Sequence, residues 1–354
     1  TTVIDAADVG GESTADECGT CVKVDYGRVI VQDSYIRGAT ADNVIAGSAT
    51  AQPNEVTLLR CRLTDAAATN SINRANCAAQ GTVVIDRTSI YSATTGLRFT
   101  QTSGTSSRFL TVRNSAITGL TTCVLLNATT ASVCTVLFED STVGGTSTGT
   151  TQRGFQCTAL NSSSSFIARR CNVMNNRDIG ADIPSGTSNT NNYAFDECAF
   201  LFNGDGGSQE GALRDLRTNS AKAVLTHCTF QGNKPFAAFD SSATGVMQAT
   251  ACYWNSVSGP TVSASPPAGA TDYVNSATYV NFTSFLVRPW FDYLLGGNPA
   301  GAVSWDVKES ASVDADNLHV VTTTPYFAWA FGSDFFAEIQ SAYQVQVATT
   351  PGFE

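Results

Sequence analysis

An internal repeat constrains the fold of this 354-residue chain more than any other feature of the sequence. Nine segments of eight residues align without gaps, and the spacing between successive segments is 24 to 30 residues. A period of this length is typical of a solenoid, in which each repeat buries its apolar face only against its neighbours. The sixth position of each segment holds a small side chain, and its occupants are Ser34, Cys61, Thr88, Ser115, Ser141, Cys171, Cys198, Cys228 and Cys252.

Each segment has the pattern of two short strands joined by a bend. The first and third residues, such as Val83 and Ile85, are mostly apolar and share one face of a strand. The sixth and eighth residues, such as Cys228 and Phe230, share a face as well, so the alternation changes phase between the two pairs. A strand keeps one face buried through such a change only if it bends there. A third short apolar piece follows many segments, which predicts three strands and three corners per repeat.

Stacked repeats of this kind predict an all-β chain whose strands pair in parallel from one rung to the next. A tenth copy, residues 2–9 with Ala7 at the sixth position, brings the count to about ten rungs. The chain resembles the right-handed parallel β-helix proteins of the pectate-lyase-like superfamily, and Trp254 to Pro260 resembles the terminal rung of such proteins. The resemblance implies the fold and says little about activity, because this fold hosts lyases, hydrolases, adhesins and structural proteins.

Composition limits where the chain works and what it binds. Charged residues make up only 14%, and the net charge of −10 gives no electrostatic reason to bind nucleic acid. No apolar run is long enough to span a bilayer, and an export signal is expected to have been removed. Eleven cysteines in a Ser/Thr/Asn-rich chain favour an oxidising setting. We therefore expect an extracellular, cell-surface or virion location.

The cysteines fall into two groups. Those of the sixth position are expected to be inward, stacked core thiols, although the rung spacing also permits bridges from Cys171 to Cys198 and from Cys228 to Cys252. The disulfide candidates lie off this ladder and are Cys18, Cys21, Cys77, Cys123, Cys134 and Cys157. Only one CxxC is present and the two histidines are far apart in sequence, so no metal site is predicted, and calcium remains possible at acidic turns.

Two sets of charged residues are candidates for a binding or catalytic site. The fourth and fifth positions of the segments carry charges of alternating sign, which favours a structural ladder over a lyase groove. A second set lies on longer turns and would supply the acids and the base of a polysaccharide lyase. Its members are Asp178, Asp182, Asp205, Glu210, Asp215, Arg214, Arg217 and Lys222.

The two ends of the predicted solenoid favour assembly. We expect no cap before the first copy, whereas residues 261–354 leave the repeat of residues 1–260 and are expected to form an aromatic-rich cap, extension or assembly region. We expect copies of the chain to associate head to tail, which makes it a structural subunit of a fibre, sheath, surface layer or virion appendage. The alternative is a secreted polysaccharide lyase or another carbohydrate-active enzyme. The residues predicted to contribute to assembly are Val3, Ile4, Val9, Tyr343, Val345 and Val347.

Overall fold

A computed structural model confirms the predicted all-β, parallel β-helix fold. All described strand pairs are parallel, and the strands form three sheets of ten, nine and ten strands, against about ten predicted rungs. The structure describes residues 2–5, 20–24, 27–37, 39, 42–46, 53–65, 70–74, 81–101, 107–128, 133–144, 152–160, 164–185, 193–218, 220–241 and 244–289.

The chain visits the three sheets in turn. Sheet I contains β3 Gly27–Gln32, β6 Asn54–Leu59, β9 Gly81–Asp86, β12 Arg108–Arg113, β15 Cys134–Glu139, β18 Ser165–Arg169, β21 Tyr193–Asp196, β24 Val224–Thr226, β27 Met247–Thr250 and β29 Val280–Asn281. Sheet II contains β1 Thr2–Asp5, β4 Ser34–Arg37, β7 Arg62–Asp65, β10 Ser89–Ser92, β13 Ala116–Gly119, β16 Thr142–Gly144, β19 Asn172–Met174, β22 Ala199–Leu201 and β25 Thr229–Gln231. Sheet III contains β2 Thr20–Val24, β5 Asp42–Ala46, β8 Asn70–Arg74, β11 Thr95–Gln101, β14 Thr122–Ala128, β17 Arg153–Leu160, β20 Ile179–Ile183, β23 Gly211–Asp215, β26 Phe236–Asp240 and β28 Tyr273–Val274.

The register of the strands stacks equivalent residues of the repeat. In sheet I, Val83 lies opposite Val56 on one side and Leu110 on the other, and all three side chains are buried. The nine sixth-position residues are also buried, which confirms that this ladder points inward. The core is therefore a set of parallel ladders that run along the solenoid, and each rung covers the side chains of the next.

The predicted bend lies at the fifth position of the repeat, between sheets I and II. The residue there has left-handed backbone geometry in every segment, with φ between 48° and 54°. This conformation is uncommon for residues other than glycine, so its recurrence requires a compensating interaction. The nine residues are Asp33, Arg60, Arg87, Asn114, Asp140, Arg170, Glu197, His227 and Ala251.

Hydrogen bonds of the sixth residue provide that compensation. Its hydroxyl or thiol donates across the bend to the carbonyl two residues earlier, as Ser115 Oγ does to Arg113 O at 2.6 Å. The same oxygen accepts the backbone N–H of Thr88 on the preceding rung at 3.0 Å. A small side chain with one donor and one acceptor satisfies both needs, which explains why Ser, Thr and Cys share this position.

The first copy has a different register from the one predicted. Thr2, and not Ala7, lies opposite Ser34, and Ile4 lies opposite Ile36. Residues 2–5 therefore form the second strand of a rung. Gapless alignment placed them one strand too early, because alternating apolar residues fit either strand of the repeat.

The described part of the solenoid ends in an aromatic stack. The ring of Trp254 is almost fully buried and lies flat on Phe230, with ring centroids 4.6 Å apart. The ring of Phe282 meets that of Trp254 edge to face, with centroids 6.3 Å apart. Parallel pairing continues past residue 260, through β28 and β29, to a bridge between Tyr253 and Leu286.

A second inward ladder was not predicted and consists of asparagines at the corner between sheets II and III. Asn176 Nδ2 donates to Asn203 Oδ1 at 2.9 Å, and Asn203 Nδ2 donates to Asn233 Oδ1 at 2.9 Å. Asn233 Nδ2 then donates to Asp272 Oδ1 at 2.8 Å. Asp272 ends the ladder as a pure acceptor, and its burial raises the pKa of its carboxyl group. Each asparagine follows a sixth-position cysteine by five residues, which is the sequence signal that would have identified the ladder.

We predict that the chemistry of the sixth position, and not only its size, stabilises the fold. Ser115→Ala leaves the N–H of Thr88 without its acceptor in the core, while the carbonyl of Arg113 keeps only the N–H of Arg87 as a donor. The substitution should lower the free energy of unfolding by about 1–3 kcal/mol. Ser115→Cys keeps a donor and an acceptor and should cost less. Urea denaturation of both variants measures the difference, and equal stabilities would contradict the proposed role.

Candidate functional site

The charged residues of the bend form ion pairs between rungs. Arg60 makes two bonds to Asp33, at 2.6 and 2.7 Å, and Arg170 makes two to Asp140, at 2.6 and 2.9 Å. These hydrogen bonds with arginine lower the pKa of both aspartates. Both pairs are exposed and join opposite charges on successive rungs, which supports the structural interpretation of this ladder.

The predicted acidic turn cluster is divided into three separate groups. The first group lies on sheet III, where Asp182 contacts Arg214 Nε at 2.9 Å and Arg153 Nη1 at 3.1 Å. Arg153 Nε also contacts Asp178 at 3.0 Å, so the network joins β17, β20 and β23. The Asp182 side chain is 1% exposed and that of Arg214 is 15% exposed. Two arginines thus neutralise two aspartates in a partly buried surface network.

The second group is fully buried at the corner between sheets III and I. Arg217 donates from Nε and Nη2 to Asp215 at 2.9 and 2.7 Å, and its guanidinium lies 4.8 Å from the centre of the Tyr193 ring. Lys222 Nζ donates to Asp240 Oδ1 at 2.7 Å. All four charged side chains are at most 1% exposed.

The third group lies on the exposed loop before β23. Glu210 Oε2 accepts the backbone N–H groups of Asp205, Gly206 and Gly207. A hydrogen bond with Glu210, aided by Arg177, lowers the pKa of Asp205, while burial and Asp205 raise the pKa of Glu210. Asp205 also lines a cleft of about 350 Å³ whose far wall is the proline-containing segment 264–270.

This arrangement argues against the lyase interpretation. A catalytic base must reach the substrate, yet Arg217 and Lys222 are buried against carboxylates and Arg214 is paired with Asp182. Within the described ranges, no group of three or more His, Cys, Asp or Glu side chains is arranged to hold a metal ion. The same part of the chain contains no helix long and apolar enough to cross a membrane.

No disulfide joins any two of the described cysteines. The prediction of disulfides is wrong for Cys123 and Cys157, which are buried free thiols. Both lie on sheet III, but Cys157 pairs with Leu126, three residues beyond Cys123, which is too far for a bridge. Cys134 lies on sheet I, and Cys21 Sγ bonds to Arg37 O at 3.2 Å. Cys18 and Cys77 lie outside the described residues.

The expected core thiols of the sixth position are confirmed as thiols. Cys171, Cys198 and Cys228 are buried on successive rungs, and each thiol donates to a backbone carbonyl. A hydrogen bond with Cys198, together with burial, raises the pKa of Cys171, and burial is the main cause for the other two.

The two ends of the solenoid hold the apolar residues that the core leaves partly uncovered. Among the described residues, six partly buried hydrophobic side chains pack on the core, and every one lies at an end. Cys21, Val22, Val29 and Val31 lie at the N-terminal end, and Phe282 and Phe285 lie at the other. Of the predicted assembly residues, Val3 and Ile4 lie in β1, and Val9, Tyr343, Val345 and Val347 lie outside the described residues.

No protein-family model, curated protein or solved structure matches this chain.

We predict that the buried Arg217–Asp215 pair is required for stability. Arg217→Met leaves the carboxylate of Asp215 buried without its cation and should cost about 3–5 kcal/mol of unfolding free energy. Arg214→Met, next to it on a partly exposed pair, is the matched control and should cost clearly less. Chemical denaturation measures the unfolding free energy of both variants. Equal losses would contradict the prediction that the buried pair contributes more to stability than the partly exposed one.

We also predict that buried thiols make the fold sensitive to alkaline pH. Burial raises the pKa of Cys123 from its usual 9.0 to about 12. As the pH rises, this thiol therefore ionises at a lower pH in the unfolded chain than in the folded one. Its stabilisation is complete below pH 9 and decreases as the pH rises towards 12. Between pH 9 and 10 the loss should be about 1 kcal/mol less in Cys123→Ala than in the parent chain. Urea denaturation at pH 9 and at pH 10 measures the unfolding free energy of both chains. An equal loss of unfolding free energy in Cys123→Ala and in the parent chain would contradict this assignment.

Proposed function

We propose that this protein is a structural subunit that assembles end to end, by parallel strand pairing at β3. The observation that carries the proposal is the position of the incompletely covered hydrophobic residues at the two ends of the solenoid. Burial of such residues is favourable by about 25 cal/mol per Å² of apolar surface. Contact between opposite ends of two copies would cover both sets at once.

The N-terminal end of sheet I shows what a partner would cover. Val29 and Val31 are only half-buried, whereas their neighbours Val56 and Leu58 on β6 are fully buried. Ile30, between them, is 51% exposed. Among the described strands, none pairs with the other side of β3.

The backbone of β3 has donors available for such a partner. The N–H groups of Gly27 and Asp33 donate to Pro53 and Leu59 of the β6 segment, both at 3.0 Å. Because donors alternate between the two sides of a parallel strand, Val29 and Val31 also face β6. The N–H groups of Arg28, Ile30 and Gln32 face the opposite side, where an added strand would pair with them.

The opposite end offers a complementary edge of the same sheet. β29 is the last described strand of sheet I, and it pairs with β27 over only two residues. A groove of about 430 Å³ lies beside it, and its lining includes Val246, Val280 and Phe282. A second copy that places β3 here would continue the parallel sheet. Such a contact joins unlike surfaces and therefore generates a filament unless it closes into a ring.

We also propose that the protein works outside the cell or on a virion. The low charge content and the Ser/Thr/Asn-rich sequence suit an extracellular fibre, sheath, surface layer or virion appendage. The contribution of Tyr343, Val345 and Val347 to the interface remains a prediction. The carbohydrate-active alternative receives less support, because the proposed bases are engaged by aspartates.

Replacing Ile30 tests this function. Ile30→Pro removes a donor that faces the open side of β3 and keeps the bonds to β6, so the subunit should stay folded and monomeric. Ile30→Thr keeps the donor in a strand-forming residue and should still form polymers. Sedimentation velocity over a range of concentrations measures assembly, and circular dichroism checks the fold. A parent chain that stays monomeric at high concentration would contradict the proposal.

A further inference from the structure

The buried pair Lys222–Asp240 has features that a structural ion pair does not require. The two side chains are 1% and 0% exposed, and Nζ lies 2.7 Å from Oδ1, one bond from the carboxyl carbon. Lys222 Nζ also donates to Arg217 O, which fixes the end of the side chain. The backbone of Asp240 is held by Asn275, whose Oδ1 accepts its N–H at 3.0 Å and whose Nδ2 donates to its carbonyl at 2.6 Å.

We propose that Lys222 and Asp240 are joined by an intramolecular amide bond. The reacting groups are an amine and a carboxyl group, which the fold holds in contact within a site closed to solvent. Such positioning replaces an encounter in solution and corresponds to effective concentrations of about 10⁵–10⁸ M. This cross-link is independent of the assembly proposed above.

The reaction balances without an external reagent. The ammonium of Lys222 transfers one proton to the carboxylate of Asp240, which gives a neutral amine and a carboxylic acid. The nitrogen then forms a bond to the carboxyl carbon, a second proton moves from nitrogen to the hydroxyl oxygen, and the C–O bond breaks to release one water.

A second carboxylate stands where it can relay that proton. Asp215 lies directly opposite Asp240 in the pairing of β23 with β26, so the two side chains project from the same face of sheet III. Asp215 Oδ2 accepts the N–H of Ala223, the residue after Lys222, at 2.9 Å. Arg217 donates to both carboxylate oxygens of Asp215, at 2.9 and 2.7 Å, and holds this carboxylate in place.

The neighbouring pair provides an internal comparison. Arg217 and Asp215 are equally buried and in contact at 2.7 Å, but a guanidinium stays protonated and is not a nucleophile. Of these two buried pairs, only Lys222–Asp240 contains an amine that can form an amide. The bond would connect the segment before β24 to the end of β26 and fix two successive rungs at one corner.

Mass spectrometry of the purified, reduced and denatured protein tests the proposal directly. We expect an intact mass lower than the sequence mass by one water. Trypsin cannot cleave after an acylated lysine, so the peptide 218–222 should be missing from the digest. Lys222→Arg keeps the charge but cannot form the amide, and its intact mass should equal its sequence mass.

Two results would overturn the cross-link. The first is an intact mass equal to that of the sequence. The second is a mass lower by one water together with full release of the peptide 218–222, because the dehydration would then lie elsewhere. Neither reading requires a folded variant, since both are made on the denatured parent chain.

Discussion

Main-chain pairing between successive rungs is the interaction on which the rest of this structure depends. Each strand obtains its hydrogen bonds and the cover for its inward side chains from the strands above and below it. Val83 is fully buried, and Val56 and Leu110 of the neighbouring rungs lie on either side of it. The same rule leaves Val29 and Val31 half-buried, since β3 has a described neighbour on one side only. Assembly is the consequence that this rule suggests.

The bend between sheets I and II shows how the stack tolerates an unfavourable backbone. A left-handed residue recurs on every rung, and a hydroxyl or thiol next to it bonds across the bend. The hydroxyl groups of Thr88, Ser115 and Ser141 also accept the backbone N–H of the sixth residue on the preceding rung. These bonds join each bend to the bend of the neighbouring rung. Removing one such group affects two rungs, which is why the position tolerates an exchange of sulfur for oxygen but keeps a hydrogen-bonding atom.

The repeat made the fold, the inward ladder and the bend predictable, because period-two alternation and its change of phase are visible in eight residues. The register of residues 2–5 was not predictable in this way, since a short apolar strand fits either position of the rung. The charged turns were also beyond sequence reasoning. Arg214 and Arg217 are three residues apart, yet one lies on a partly exposed sheet face and the other is buried at a corner. Only the path of the chain around that corner decides which of the two is accessible.

Hydrogen exchange at β3 tests the central claim most directly, because neighbouring amides of one strand face opposite sides. If copies pair at β3, the amides of Arg28, Ile30 and Gln32 should exchange fast in dilute solution and become protected when the protein is concentrated. The amides of Val29 and Val31, which face β6, should be protected under both conditions. Protection of Ile30 in the dilute monomer would mean that the edge is already covered within one chain. Fast exchange of Ile30 in the assembled protein would mean that copies associate through another surface, and either result would contradict assembly by strand pairing at β3.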